Sequence, residues 1–307
     1  MVINLTKAFV AIAVLCLLFA FVDVKQSFTL LWEVQPLWTI AAILMVQVQI
    51  ILSAQRWRLT AKRLGLQIGI LRSICEYYLG TLANMVLPGG VVGDASRIYR
   101  NRQPDGLAVS AHAVVLERTA GQIALFFITL AGCVLWPVFM RSSFPQFGLW
   151  LLIVTLSLLA LVGLCIYLLV RFAPKALSRF LVDFGPSIQI AWLADRQWIR
   201  QAVLSIGIVF TYLLIFFFSA LAVGEPLSVV ATLTVVPLVL LSMVVPVSVG
   251  GWGIREAAAA SLWPIVGLSS EAGVATSIVY ALVTIIGCLP CIGCLLVRRI
   301  CSSIKQV

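Results

Sequence analysis

The sequence predicts an all-α polytopic membrane protein, with about six full spans and two opposed re-entrant helical hairpins in an inverted-repeat arrangement. Three observations predict this fold class. Hydrophobic residues make up 62% of the 307 residues and charged residues only 10%, whereas a soluble domain carries about 25% charged residues. Proline and glycine break one apolar segment in each half of the chain, and the basic residues gather in alternate loops. A chain with so many apolar residues is expected to lie in a lipid bilayer.

The six full spans are the apolar stretches that approach the length of about 20 residues needed to cross a bilayer. They cover residues 8–22, 37–52, 114–136, 149–170, 203–223 and 272–297. The first is short, so a cleaved signal peptide is the alternative to a retained helix. It ends in Phe21-Val22-Asp23, a poor match to a cleavage site, which favours a retained helix. We expect one membrane domain over residues 1–307.

The net charge of +10 reflects membrane orientation rather than nucleic-acid binding. Most Lys and Arg residues lie in residues 55–72, 97–102 and 171–200 or near the C-terminus. The positive-inside rule then predicts that both termini lie in the cytoplasm. Residues 171–200 also carry apolar and basic positions at helical spacing, which predicts an amphipathic segment in the membrane interface. A loop that packs on the rim of the bundle is the alternative.

The two broken segments are predicted to form hairpins at about residues 73–100 and 228–268. In each, an apolar run leads to proline, then to glycines, then to an Arg close to a carboxylate. Proline ends a helix, and glycine permits the backbone angles of a reversal. The flanking charges indicate that the first hairpin enters from the cytoplasm and the second from outside. Paired breaks of this kind point to a substrate site between inverted repeats.

The tips of the hairpins are expected to line a cavity, because broken backbone at membrane depth must be covered by protein or water. The helices that restart after Gly93 and Gly253 direct N–H groups into it. Arg97 and Arg255 add positive charges suited to phosphate, and the adjacent carboxylates pair with them or carry protons. A structural clamp on each hairpin is the alternative. The candidate substrate-binding residues are Asn84, Pro88, Gly89, Gly90, Gly93, Asp94, Arg97, Glu117, Arg118, Pro246, Ser248, Gly250, Gly251, Gly253, Arg255 and Glu256.

The cysteines and the absent motifs argue against metal and nucleotide chemistry. Cys288, Cys291 and Cys294 recur in apolar surroundings, which favours small buried residues over a metal site. The chain has no Gly-x4-Gly-Lys-Ser/Thr loop, no Asp-x-Asp pair, no His-Glu-x-x-His and no Gly-x-Ser-x-Gly. ATP-driven transport, metal-dependent sugar transfer and serine hydrolysis therefore lack their usual residues. We expect no cofactor and no metal.

Three motifs in order resemble the flippase-like membrane domain of lysylphosphatidylglycerol synthases. They are Asn84 with Leu87-Pro88-Gly89-Gly90, Gly93-Asp94 and Arg97; then Glu117-Arg118; then Pro246, Ser248, Gly250-Gly251, Gly253 and Arg255-Glu256. The resemblance covers essentially the whole chain. The family also includes stand-alone members, which are found with lipid-linked glycan or hopanoid pathways. It implies an inner-membrane protein that handles a phospholipid or a polyprenyl-phosphate lipid. No aminoacyl-transferase domain accompanies it in these 307 residues, so lysyl transfer is not expected.

The main functional expectation is a lipid translocase, a transporter rather than an enzyme, that binds the headgroup phosphate between the hairpins. One alternative is a membrane lipid-headgroup or glycolipid transferase with Glu117, Asp94 or Glu256 as general base. Another is a non-catalytic scaffold for a glycosyltransferase or another lipid-modifying partner. The expected partner is a membrane lipid, and no nucleic acid is expected.

Overall fold

The described part of the chain is built from helices. The computed structural model describes residues 24–87, 90–103, 107–140, 153, 180, 182–243 and 250–293. Its α-helices are α1 (Val24–Trp32), α2 (Pro36–Arg63), α3 (Ile70–Val86), α4 (Val92–Arg100), α5 (Ala108–Met140), α6 (Phe184–Ile188), α7 (Gln197–Val223), α8 (Val229–Ser242), α9 (Ile254–Leu262) and α10 (Ser270–Gly287). A π-helical turn (Gln189–Leu193) and a 3-10 turn (Ala194–Arg196) connect α6 with α7, and a 3-10 turn (Trp263–Val266) follows α9.

Four helical stretches among these residues are long and apolar enough to cross a membrane. They are Pro36–Arg63, Ala108–Gly132, Phe184–Val223 and Ser270–Gly293. The prediction of an all-helical, multi-pass membrane protein is thereby confirmed. The predicted span at residues 8–22 lies outside the described residues, and so does the span at 149–170 apart from Ile153.

Helix α2 is longer than the sequence analysis predicted. A loop was expected from residue 55, but the helix continues to Arg63. It continues because Trp57 and Ala61 are buried in the core, at 1% and 0% exposure. The charge of Arg56 does not end the helix, because its side chain pairs with a carboxylate inside the protein.

Helices α2 and α7 pack together in antiparallel directions and form the centre of the bundle. Polar side chains between helices hold membrane proteins together where lipid offers no hydrophobic driving force. Three such hydrogen bonds link α2 and α7: Gln201 Nε2 to Thr60 Oγ1 at 2.9 Å, Arg56 Nη1 to Ser205 Oγ at 3.0 Å, and Gln49 Nε2 to Tyr212 Oη at 2.9 Å.

The order of elements occurs twice along the chain: a long helix, a pair of shorter helices separated by a break, and a second long helix. The first broken pair is α3 and α4, separated at residues 87–91; the second broken pair is α8 and α9, separated at 243–253. The packing follows the same plan. The later helix of each broken pair packs on the long helix that follows it, and both α5 and α10 pack on α2 and α7.

A hydrogen bond lies at the outer ends of each broken pair. Arg72 Nη2 donates to the carbonyl oxygen of Arg100 at 2.9 Å, so the outer ends of the first broken pair lie together near the end of α2. Ser270 Oγ, at the start of α10, donates to the carbonyl oxygen of Ala260 near the end of the second broken pair at 2.9 Å. The N–H of Gln35, before α2, donates to the carbonyl oxygen of Ala222 near the end of α7 at 2.8 Å.

The two breaks meet in the middle, where glycine is required. Gly250 has φ +58°, and a Cβ at this position would lie 2.6 Å from the carbonyl oxygen of Met85. A Cβ on Gly90 would lie 4.0 Å from the nitrogen of Gly250. Within the first broken pair, a Cβ on Gly93 would lie 1.9 Å from the carbonyl oxygen of Gly80. Larger residues at Gly250 or Gly93 would push the backbones apart, whereas the distance at Gly90 is an ordinary van der Waals contact.

The described part of the predicted interfacial segment at 171–200 packs on the bundle. The ring of His112 in α5 lies 4.4 Å from that of Phe180 and 5.2 Å from that of Phe184, measured between centroids. Arg63 at the end of α2 pairs with Asp195 at 2.6 Å. Most of residues 171–181 lie outside the described part of the chain.

Candidate functional site

A cavity of about 410 Å³ lies where the two breaks meet. Both broken pairs and the long helices α2, α5, α7 and α10 contribute to its wall. Backbone of both breaks reaches it at Gly90 and Gly250, and charged side chains reach it from Arg56, Asp94 and Arg118. Such a mixture of broken backbone and charge inside a membrane protein is typical of a substrate site.

Glu117 lies at the centre of the charged groups beside the cavity. Its side chain is 0% exposed, and its Oε1 accepts hydrogen bonds from Arg56 Nη2 at 2.5 Å and from the Tyr77 hydroxyl at 2.9 Å. Its Oε2 lies 3.5 Å from Arg97 Nη2. Glu117 therefore joins α2, α3, α4 and α5 behind the cavity wall.

Asp94 connects this buried group to the cavity. Its Oδ1 accepts hydrogen bonds from Arg97 Nη2 at 2.5 Å and from Arg118 Nη2 at 2.9 Å. Asn84 donates to the other carboxylate oxygen at 3.3 Å and accepts a hydrogen bond from the N–H of Gly93 at 2.7 Å. We call Arg56, Arg97, Arg118, Asp94 and Glu117 the arginine cluster.

The arginine cluster has three guanidinium groups and two carboxylates, and so a surplus of one positive charge. Arg56 and Arg97 are 4% and 1% exposed, whereas the side chain of Arg118 is 39% exposed and faces the cavity. Arg97 also packs on the ring of Tyr77, with its guanidinium carbon 4.5 Å from the ring centroid. A surplus charge in an apolar region is costly unless a counter-ion lies nearby. An anion in the cavity would balance this surplus.

Several N–H groups of the arginine cluster lack an acceptor among the described residues. They are the Nε groups of Arg56, Arg97 and Arg118, and Nη1 of Arg97. Buried donors normally have partners, and charged donors form the strongest hydrogen bonds. The cluster is therefore richer in donors than in acceptors, which again favours an anionic ligand.

The second broken pair holds its charges in a closed arrangement. Arg255 is 0% exposed, and it donates to Glu256 Oε1 through Nη2 at 2.5 Å and to Ser277 Oγ through Nε at 2.7 Å. The second oxygen of Glu256 accepts the N–H of Gly253 at 2.6 Å. The guanidinium carbon of Arg255 lies 5.2 Å from the ring centroid of Tyr280. One positive and one negative charge balance here, although Nη1 of Arg255 lacks an acceptor among the described residues. Neither side chain lines the cavity, but Tyr280 does.

The candidate residues fall into three groups. Those that line the cavity are Asn84, Gly90, Asp94, Arg118, Gly250 and Gly251. Those that do not line it are Gly93, Arg97, Glu117, Gly253, Arg255 and Glu256. Pro88, Gly89, Pro246 and Ser248 lie outside the described residues. The guanidinium groups that face the cavity belong to Arg118 and Arg56, whereas the sequence analysis emphasised Arg97 and Arg255.

Sequence reasoning missed Arg56 and Tyr77. A signal for Arg56 exists, because the polar residues of α2 share one buried face at helical spacing. They are Gln49, Ser53, Arg56 and Thr60, all at most 4% exposed. Polar residues on one stripe of an apolar helix normally face the interior of the bundle. Tyr77 stands next to Tyr78, and spacing does not distinguish the two.

The cysteines that the structure describes near the end of α10 are buried thiols. Cys288 is 0% exposed and Cys291 is 2% exposed, and neither forms a disulfide. Cys294 lies outside the described residues. Within the part of the chain that is described, no group of three or more His, Cys, Asp or Glu side chains is arranged to hold a metal ion.

The family described as "Lysylphosphatidylglycerol synthase TM region" matches residues 4–291 of the chain. This range contains both broken pairs and the whole arginine cluster. No curated protein and no solved structure matches the chain.

Proposed function

The chain belongs to the lysylphosphatidylglycerol synthase transmembrane family, and we propose that it is a translocase for a phospholipid or a polyprenyl-phosphate lipid. Membership indicates a function related to membrane lipids. The observation that carries the finer proposal is the surplus positive charge of the arginine cluster, which reaches a central cavity through Arg118. A lipid phosphate would supply the negative charge and the acceptor oxygens that balance this surplus.

The headgroup phosphate would bind against Arg118, whose planar guanidinium donates parallel hydrogen bonds to two phosphate oxygens. Arg56, which also lines the cavity, would add its charge, and the backbone of Gly90 and Gly250 would lie close to the ligand. Arg97 and Glu117, both at most 1% exposed, would hold Asp94 and Arg56 in position. The acyl or prenyl chain would remain in the bilayer.

Translocation would follow from the duplicated plan of the chain. We take the broken pairs as re-entrant hairpins of an inverted repeat, each with its outer ends at one face of the membrane. Rocking of one repeat against the other would open the cavity to each face in turn. The basic end of the bundle, with Arg63 and Arg72, would face the cytoplasm of a bacterial-type inner membrane.

The carboxylates of the arginine cluster are poorly placed for the alternative of headgroup transfer. A general base must reach the proton that it removes. Glu117 is 0% exposed and accepts hydrogen bonds from Arg56 and Tyr77, so a substrate hydroxyl has no access to it. Asp94 already accepts hydrogen bonds from two guanidinium groups.

The proposal is tested by lipid movement in proteoliposomes that contain the purified full chain and a fluorescent phosphatidylglycerol or polyprenyl phosphate. A membrane-impermeant quencher measures transfer between leaflets. Arg118→Gln is expected to slow transfer at least about tenfold, the effect of losing one charged hydrogen-bonding pair. Arg102→Gln removes an exposed Arg that does not line the cavity, and is expected to leave the rate unchanged. Equal rates of lipid transfer in the wild type and in Arg118→Gln would contradict the proposed role of the cavity.

A further inference from the structure

A second cavity lies at the basic end of the bundle, on the outer side of α2 and α7. Its volume is about 570 Å³. Three cations line it: Arg58 and Lys62, one turn apart on α2, and Arg200 on α7. We call this the basic groove. The residues that line it include no Asp or Glu among those that the structure describes, so its positive charge is not neutralised locally.

The cations of the basic groove are accessible to a ligand. Arg58 Nε donates to the carbonyl oxygen of Ile68 at 2.9 Å, which fixes the plane of its guanidinium group. Lys62 and Arg200 are exposed. The nearby carboxylate of Asp195 pairs with Arg63, which does not line the groove.

The remaining wall of the basic groove is apolar and continues along both helices. Leu59 of α2 and Ile199 and Val203 of α7 line the groove. Beyond them, exposed apolar residues recur at helical spacing towards the middle of the bundle. On α2 these are Ile51, Val48 and Leu44, and on α7 they are Ile206 and Phe210. A ligand that fits both parts has an anionic end and long apolar chains.

We propose that the basic groove binds one anionic phospholipid of the surrounding leaflet, with its phosphate against Arg58, Lys62 and Arg200 and its acyl chains along α2 and α7. Basic pockets between membrane helices at the cytoplasmic side are suited to anionic headgroups. This site is separate from the central cavity and does not depend on translocation. The groove is formed by the ends of the two helices whose packing holds the bundle together, so the bound lipid would fix their relative position.

The test uses the full chain in detergent and counts bound lipid by native mass spectrometry as phosphatidylglycerol or phosphatidylcholine is added. The wild type is expected to retain one phosphatidylglycerol more tightly than phosphatidylcholine. Lys62→Gln with Arg200→Gln, which leaves the hydrogen bond of Arg58 intact, is expected to weaken that binding at least about tenfold. Phosphatidylcholine binding is expected to change little.

The matched control is Arg102→Gln with Arg196→Gln, which removes the same charge at the same end of the bundle outside the groove. An equal loss in the control pair would show only general surface attraction and would overturn the proposal. Displacement of the lipid by glycerol 3-phosphate at the same concentration would also overturn it, because the apolar wall would then contribute nothing. Both outcomes leave the test of Arg118 in proteoliposomes unaffected.

Discussion

Each broken pair has a break followed by a short helix, but the carboxylates of the two short helices bind different partners. In each, a carboxylate occupies the third position of the helix that follows the break: Asp94 in α4 and Glu256 in α9. Glu256 accepts the N–H of Gly253 at the start of its own helix. Asp94 instead pairs with Arg97 and Arg118 and reaches the cavity. The first broken pair therefore brings a charged side chain to the cavity, whereas the charges of the second pair do not line it.

A single side chain accounts for much of this difference. In the first broken pair, the side-chain oxygen of Asn84 accepts the N–H of Gly93 at 2.7 Å. The backbone donor near the start of α4 is therefore satisfied without Asp94, whose carboxylate is free to bind arginines. In the second pair Glu256 performs the capping role itself. We therefore propose one anion site, beside the first broken pair, and one structural clamp, formed by Arg255 and Glu256 in the second.

The largest effect is expected from removal of the buried carboxylates. Glu117→Ala leaves Arg56 without its counter-charge, while Arg97 keeps Asp94, and Glu256→Ala does the same to Arg255. Loss of one partner of a buried ion pair costs about 3–5 kcal/mol. Unfolding by heat and denaturant in detergent micelles measures it. The rate of lipid transfer per folded molecule distinguishes the two variants. Glu256→Ala is expected to retain this rate, and Glu117→Ala is expected to lose it. A loss of stability below about 1 kcal/mol in either variant would contradict the account.

The next effect tests the contact between the two breaks. Gly250→Ala places a methyl group 2.6 Å from the carbonyl oxygen of Met85, at φ +58°. Overpacking and left-handed strain together cost about 2–4 kcal/mol. Gly224→Ala is the matched control, because Gly224 has φ +87° and open space around it. It is expected to cost about 1–2 kcal/mol, from the strain alone. Equal unfolding midpoints for the two variants would show that the breaks do not touch.

The smallest effects separate the roles of two serines that hold buried guanidinium groups. Ser205 accepts a hydrogen bond from Arg56 at 3.0 Å, and Ser277 accepts one from Arg255 at 2.7 Å. Each serine→alanine change is expected to cost about 1.5–3 kcal/mol, the value of a hydrogen bond to a charged group. Only Ser205→Ala is expected to slow lipid transfer, because Arg56 faces the cavity. Transfer that slows equally in Ser277→Ala would assign substrate contact to the second broken pair.

The helical, multi-pass arrangement of the described residues was predictable, because it depends on local sequence patterns. Apolar length gives the long helices, and the glycines at residues 90 and 250 mark the breaks. The direction of the side chains at the site was not predictable. Arg97 stands one turn after Asp94 and turns inward onto Tyr77, a choice that depends on a neighbouring helix. Arg56 belongs to a basic run and was taken as a loop residue. Its partners, Glu117 and Ser205, are distant in sequence.

The most direct test of the central claim is the position of phosphorus in a high-resolution map of the full chain in nanodiscs that contain phosphatidylglycerol. The account predicts a headgroup phosphate in the central cavity, with oxygens at about 2.7–2.9 Å from the guanidinium nitrogens of Arg118. It predicts none against Arg255, which remains closed on Glu256 and Ser277. A phosphate bound at Arg255, or a cavity that stays free of lipid while Arg118 remains paired with Asp94, would contradict it.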